Sequence, residues 1–447
     1  MIKGVSVTGT GFVGLVSAVC FAERGFKAYA VTHDEDKAKT INQGEPPFYE
    51  PKLKRLLRSS LKSKLFRCTT DLKEAASNSE ITFIAVGTPS RPDGDIDLSI
   101  IKRSSEEIGE AIAEKRGYHL VVVKSTVVPG TTGGLVKDSV EKHSGKKAGD
   151  GFGLCMSPEF LREGKAVYDT FHTDRVVIGE YDRKSGDILH KFYRRFYGKK
   201  TPPILRMSLA SAEMVKYASN AFLAAKISFI NEIARICEAT AGVDVAEVAK
   251  GMGYDKRIGH LFLEAGLGFG GSCFPKDVRA LIAYAQRKRY PPLLLRSILD
   301  VNERQAFHGV ELAEQLVGSL KGKRVALLGL AFKPETSDIR EAASLKIIDR
   351  LLGLGAEVAV YDPVAMPEVE KLYGKKIMYA GSPRDCLKKA DCCILVTEWS
   401  EFKKLKPGDF TKVMRNPAVV DGRKVFNPNV FSKKLRFAAV GWGHQPS

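Results

Sequence analysis

The chain has 447 residues, a length that at roughly 100–200 residues per domain suggests several domains. Apolar residues make up 44% and charged residues 27%, a balance that excludes a disordered, collagenous or coiled-coil chain. Lys and Arg number 70 against 52 Asp and Glu, and the net charge of +18 favours anionic partners such as nucleotides.

Residues 4–22 carry no charge and are long enough to raise the question of a membrane span. Four glycines interrupt the stretch, Lys3 is its sole basic flank, and no convincing cleavage site follows. A soluble, cytoplasmic protein without a signal peptide is therefore expected. Residues 5–8 read as a strand, 12–24 as a helix and 28–32 as the next strand. From Lys52 to Arg67 seven basic residues occur with no acid between them, the pattern of a solvated basic helix. Residues 81–86 and 120–124 read as buried strands, with helical spacing over 98–115 between them. This alternation implies a parallel sheet.

A Gly/Lys-rich loop at 145–151 precedes a strand ending near Met156. Thr201-Pro202-Pro203 marks a boundary. From Ser208 to about Ala241 the spacing predicts one long helix, stopped by Gly242 and apolar nearly all round, hence central and buried. Pro291-Pro292 reads as a turn or a helix start. A second alternating unit opens at Lys321-Gly322-Lys323, with strands at 325–328, 357–361, 392–397 and 419–421 and a helix at 341–354. Eight cysteines include no CxxC pair, so they read as reduced thiols with no metal site. Asn and Gln number only 13 beside many Lys and Arg, a composition that suggests a thermophilic source.

Gly9-Thr10-Gly11-Phe12-Val13-Gly14 follows a strand and opens a helix. Glycines there permit a tight turn and let backbone N–H groups approach a pyrophosphate, so the segment reads as a dinucleotide site. The acid expected at the end of the second strand is missing, because Thr32-His33-Asp34 stands there. Gly268 to Asp277 reads GFGGSCFPKD, a glycine loop that delivers Cys273 just before a helix start at Pro275. A helix N-terminus stabilises the reactive thiolate, whereas a buried structural cysteine is the alternative. Asp277 could position a water or a proton acceptor. The other seven cysteines read as small apolar core residues. Ser157-Pro158-Glu159-Phe160-Leu161-Arg162-Glu163 places two carboxylates four apart, suited to general base work or to the first turn of a capped helix. Lys216 and Asn220, also four apart, share one face of the long helix.

Together with Tyr49-Glu50-Pro51, Val86-Gly87-Thr88-Pro89, Lys124-Ser125-Thr126, Phe332-Lys333-Pro334, Asp338-Ile339-Arg340-Glu341 and Asp421-Gly422-Arg423, these motifs resemble the UDP-glucose 6-dehydrogenase family over essentially the whole chain. The resemblance implies an α/β fold of two Rossmann-like, doubly wound parallel-sheet domains joined by a long central helix. It implies an NAD-binding domain at 1–202, a helical dimerisation domain at 203–318 and a UDP-sugar-binding domain at 319–447. It further implies oxidation of UDP-glucose to UDP-glucuronate by two NAD in succession, in a homodimer or higher homo-oligomer; no metal, specific nucleic acid or membrane is expected. Related enzymes act on GDP-mannose or N-acetylated UDP-hexosamines, and a catalytically silent nucleotide-sugar binder is the reading from another class.

In that resemblance Cys273 attacks the aldehyde intermediate, Lys216 stabilises the alkoxide and Asn220 donates to the same oxygen. Thr126, Glu159, Glu163 and Asp277 place waters and move protons. The cofactor would be held by Gly9, Gly11, Phe12, Val13, Gly14, Thr32, Lys37, Gly87, Thr88, Pro89, Thr126, Glu163, Lys276 and Arg340. The sugar nucleotide would meet Glu159, Phe160, Leu161, Arg162, Glu163, Lys216, Asn220, Phe269, Gly270, Lys333 and Arg423, with Arg257 reaching the substrate of the neighbouring subunit. Thr32 cannot repel a 2′-phosphate, so NAD preference with a small penalty for NADP is expected, and Thr32→Asp would enlarge it.

Overall fold

Short buried strands build the first half of the chain. They are β1 (Gly4–Thr8), β2 (Lys27–Val31), β3 (Phe66–Thr69), β4 (Ile81–Ile84), β5 (His119–Val123), β6 (Phe152–Met156), β7 (Val176–Glu180) and β8 (Ile204–Ser208). The computed structural model describes residues 2–443, which form two units that divide after residue 219. In the first unit the sheet order is β3-β2-β1-β4-β5-β6-β7-β8. Between the early strands lie helices α1 (Phe12–Glu23), α2 (Glu35–Asn42), α3 (Leu53–Lys62), α4 (Leu72–Ser77) and α5 (Ser99–Ala113). Strands β1 to β6 pair in parallel, as the alternation of elements predicts. The basic run folds as α3, with Leu53, Leu56 and Leu57 in the core and the charges on the open face.

The sheet departs from the all-parallel expectation at its far side. Strand β7 runs antiparallel to β6, and β8 follows β7 in parallel. The connection between β6 and β7 carries only a six-residue helix, Ala166–Phe171. Much of that connection is spent on the Ser157–Glu163 loop, and the chain returns beside β6 in reverse. Strands β3, β7 and β8 have no counterpart among the sequence-derived elements. For β8 the reason is plain: it is an edge strand whose residues are all at least partly exposed, so it has no buried alternation to read. The core of this unit is aromatic, with Phe21 edge-on to Phe192 and Phe196.

In the second unit the order is β11-β10-β9-β12-β13-β14, all parallel. The strands are β9 (Arg324–Leu328), β10 (Glu357–Tyr361), β11 (Met378–Tyr379), β12 (Cys392–Leu395), β13 (Ala418–Asp421) and β14 (Arg436–Ala439). The helix expected from 341 begins later, at Ala343. Glu341 has φ +53°, a left-handed conformation that a helix does not accept, and its carboxylate pairs with Arg279. Asp362, at the end of β10, accepts from the N–H groups of Leu330 and Ala331 and from Trp399 Nε1. This acid is thereby committed to holding the turn after β9.

The long helix spans Leu209–Glu238, 30 residues. Its expected burial all round is corrected in the second unit, where Phe222, Phe229 and Ile236 are exposed. No helix among the described residues is long and apolar enough to cross a membrane.

Candidate active site

The cradle after β1 is built by three glycines with different tasks. Gly9 has φ +94°, and a side chain there would strike the backbone at Ala85. A side chain at Gly14 would strike the carbonyl of Gly9, so α1 approaches the turn closely. At Gly11 a side chain would meet nothing, which leaves open the space before the N-terminus of α1. No acid stands in the first turn of that helix, so nothing there opposes the approach of an anion to its first N–H groups. A cavity of about 320 Å³ begins at Gly9 and runs past Thr32. Open space, donor groups and cavity suit a dinucleotide. Phe12 and Val13, partly buried, continue the turn into α1, and Lys37 is partly buried on α2. Thr32 Oγ1 accepts from the N–H of Asp34, whose carboxylate caps α2 through the Lys37 N–H at 2.8 Å.

The strand ends bring the remaining motifs of this unit together. Thr88 Oγ1 donates to the carbonyl of Thr126 at 3.0 Å, and Ser125 Oγ to that of Val86 at 2.6 Å. Gly87, Thr88, Pro89 and Thr126 therefore belong to one cluster of loops. Glu213, on the long helix, accepts from the N–H groups of Gly130 and Thr132 and pins the loop after Thr126. Glu50 accepts from Gly164 and Val167 N–H, which fixes the loop holding Glu163. That loop is not the first turn of a helix, because Glu159 lies outside any helix or strand and the next helix begins at Ala166.

Lys216 is only 3% exposed, and its Nζ lies 3.0 Å from Glu159 Oε1. Glu159 also accepts from the N–H of Leu161 at 2.5 Å. Burial alone would push its carboxyl pKa up, but Lys216, that N–H and Lys124 outweigh burial and hold it below the ordinary value. The ionised carboxylate is thus the favoured form of Glu159. Phe160 covers the pair, with Lys216 Nζ 5.5 Å from its ring centre. Arg162 is turned to Asp169, making a two-pronged ion pair.

Lys124 is a residue that the motif reading quoted without assigning it work. It is buried, and desolvation lowers its pKa to about 8 against the opposing pull of Glu159. Its position at the carboxyl end of a central strand, where open α/β sheets place ligands, was the available signal.

In the second unit Cys273 caps the helix Phe274–Arg287 and is the one exposed cysteine among eight free thiols. Pro275 stands in the first turn, as expected from the sequence. Burial pushes the thiols of Cys68 and Cys386 up to about 11 and about 12, and raises that of Cys155 as well. Those cysteines are inert, whereas the sulfur of Cys273 sits at a helix N-terminus. Asp277, almost wholly buried, accepts from Asn220 Nδ2 at 2.6 Å and from Lys276 Nζ at 2.6 Å. The Asn220 amide nitrogen carries a second proton that this bond does not use.

The glycine loop is held by buried amides. Asn302 donates to the Phe269 carbonyl and accepts from its N–H, and Asn231 and Gln305 do the same work at Gly266. A side chain at Gly270 would strike the Glu341 carbonyl, and one at Gly271 the ring of Phe332. The Gly271 N–H donates to the Arg340 carbonyl at 2.8 Å. Two motifs distant in sequence are therefore one structure, which brings the segment of Lys333 and Arg340 against the cysteine loop. Arg340 itself pairs with Asp338. Arg423 donates to the Val396 carbonyl and packs against Gly266. Arg257 is 88% exposed and paired with Asp255, apart from these groups.

Two mainly parallel α/β sheets and a glycine cradle for a dinucleotide are the framework of a nucleotide-dependent oxidoreductase. Three family models match the chain in succession: the NAD binding domain of the UDP-glucose/GDP-mannose dehydrogenase family over residues 3–197, its central domain over 210–304 and its UDP binding domain over 326–428. The chain belongs to the UDP-glucose/GDP-mannose dehydrogenase family. It is 43% identical to the UDP-glucose 6-dehydrogenase TuaD of Bacillus subtilis, over 95% of this chain and 90% of that protein. It is 44% identical to the UDP-glucose 6-dehydrogenase AglM of Haloferax volcanii, over 94% and 96%. A UDP-glucose dehydrogenase structure from the hyperthermophilic archaeon Pyrobaculum islandicum superposes with a TM-score of 0.91 at 38% identity, covering 99% of this chain and 98% of that one.

Proposed function

We propose that this protein oxidises UDP-glucose to UDP-glucuronate, removing four electrons as two hydrides. The carrying observation is the one exposed thiol, set at a helix N-terminus on a loop fixed by Asn302, Asn231 and Gln305. A dehydrogenase that stopped at the aldehyde would need no nucleophile. The substrate assignment is supported by relatives named for UDP-glucose at 43% and 44% identity.

Bound NAD supplies the hydride acceptor for both oxidations. In the first, the C6 hydroxyl gives up its proton as hydride leaves C6. The Cys273 thiolate then forms a carbon–sulfur bond to the aldehyde, and the former carbonyl oxygen takes a proton. Loss of that proton and of a second hydride leaves a thioester. Water attacks it, the carbon–sulfur bond breaks, and carboxylate and thiolate remain. We assign the charge on each intermediate oxygen to the Lys216 ammonium and the free N–H of Asn220. Ionised Glu159 is the acceptor for a water proton, with Thr126, Glu163 and Asp277 orienting the water. Lys276 and Arg340 are assigned to the cofactor, and Lys333 and Arg423 to the anionic nucleotide.

The expected stoichiometry is two NADH per UDP-glucose, with no aldehyde released. Absorbance at the NADH band against product analysis measures it, across a panel that includes GDP-mannose and UDP-N-acetylhexosamines. One NADH with free aldehyde would remove the double oxidation.

We also propose a homodimer. The exposed Phe222, Phe229 and Ile236 on the long helix, with exposed Tyr254 and Leu261 flanking Arg257, support that reading. Arg257 would act across that contact. Mixing an Arg257→Ala chain with a Cys273→Ala chain should restore activity through hybrid sites. Mixed dimers with no activity would sink the role in trans. A cytoplasmic location is supported by eight free cysteines.

A further inference from the structure

The cavity beside Gly9 and Thr32 contains a charge that the motif does not account for. Its walls include His33, Arg103 and Glu107, the last two from α5. Glu107 Oε1 lies 2.9 Å from Arg103 Nε, and Oε2 lies 3.2 Å from His33 Nε2. One carboxylate thus holds both an arginine and a histidine in the wall of the cavity. Asp34, the nearest acid in sequence to Thr32, is engaged by the N-cap of α2, and Glu107 is the acid that lines the cavity.

We propose that Glu107 is the specificity-determining residue for the cofactor: it excludes the 2′-phosphate of NADP at the place where Thr32 carries no charge. It does so in two ways. Its own charge repels a phosphate. It also occupies Arg103 and His33, which without it would form a phosphate-binding pair at the edge of the cavity. Discrimination then resides on α5 rather than at the end of β2, and the small NADP penalty expected from Thr32 alone is replaced by a larger one. The inference rests on a dinucleotide lying in the glycine cradle, and its test is arranged to separate the two.

The experiment is equilibrium titration of the full-length protein with NADH and with NADPH, followed by nicotinamide fluorescence, without sugar nucleotide. In the wild type NADPH binds more weakly than NADH. Glu107→Gln should tighten NADPH by about tenfold or more relative to NADH, the size expected when a repelling charge is removed and the Arg103 guanidinium is released to the phosphate. Adding Arg103→Ala to it should remove most of the gain. Thr32→Asp in the wild-type background should move the ratio by less than about threefold, because an acid is already present. Glu107→Lys, at the same partly exposed position, gives a second reading and should favour NADPH further. A ratio unmoved in both Glu107 variants, with NADH still bound, would overturn the role of Glu107 alone. Wild-type protein that binds neither dinucleotide would overturn the cradle reading and this inference with it.

Discussion

Cys273→Ala is expected to produce no UDP-glucuronate while binding UDP-glucose almost as tightly as the wild type. In the proposed reaction the sulfur is the atom that would make the aldehyde a tetrahedral species able to lose hydride. The fold should not suffer, because Cys273 is exposed and the loop around it is held by backbone bonds to Asn302, Asn231 and Gln305. Calorimetric binding and product analysis on the same preparation separate the two properties. Cys273→Ser should trap an ester that hydrolyses very slowly, visible as added mass. Wild-type turnover in the alanine variant would remove the covalent mechanism.

Lys216→Ala is expected to cost both activity and stability. Glu159 keeps its charge because Lys216 stands 3.0 Å away, in a place where burial disfavours a carboxylate. Removing one partner of a buried pair typically costs about 3–5 kcal/mol, because the other charge is stranded. The stranded carboxyl then takes up a proton, so Glu159 in the variant should titrate at higher pH than in the wild type. Losing the proposed contact to a developing oxyanion should lower kcat by roughly 10²–10³. The double variant Lys216→Met/Glu159→Gln should recover stability without recovering rate, since the buried charges are gone but the proton chemistry is too. Thermal denaturation and kcat for the three variants test this. Equal stability of Lys216→Ala and wild type would show that the pair is not held as described.

The dinucleotide half was legible because it rests on local rules. A glycine spacing that follows a strand and opens a helix can be read from residues, and Gly9 and Gly14 stand where a side chain would strike backbone. Cys273 was legible for the same reason, through Pro275 and the glycines before it. The reversal at β7 was not, because strand direction depends on how a long connection folds and not on alternation. The contact of the glycine loop with Phe332, Arg340 and Glu341 was also hidden, since it joins segments about 60 to 70 residues apart. From spacing alone Lys216 would read as an ordinary exposed lysine, yet it is buried. Its partner, Glu159, is 57 positions away, and ion pairs at that separation leave no mark on periodicity. Glu107 escaped notice because the rule for cofactor choice looks only at the end of β2.

The edge strand β8 has a consequence for how copies of this chain can meet. Pro202 and Pro203 precede it directly, and prolines cannot extend a ladder of main-chain bonds. Arg206 in its middle is tied to Glu180 and Asp187 at 2.7 and 2.5 Å, so a charged cluster sits along the rim. A neighbouring chain that tried to add a strand there would have to desolvate those groups. Growth of the sheet into a continuous cross-chain ribbon is thereby disfavoured, and with it the open-ended polymerisation that unguarded edges invite. In the homodimer proposed above, contact would be left to side-chain surfaces such as Phe222, Phe229 and Ile236, which saturate once a single neighbour has covered them.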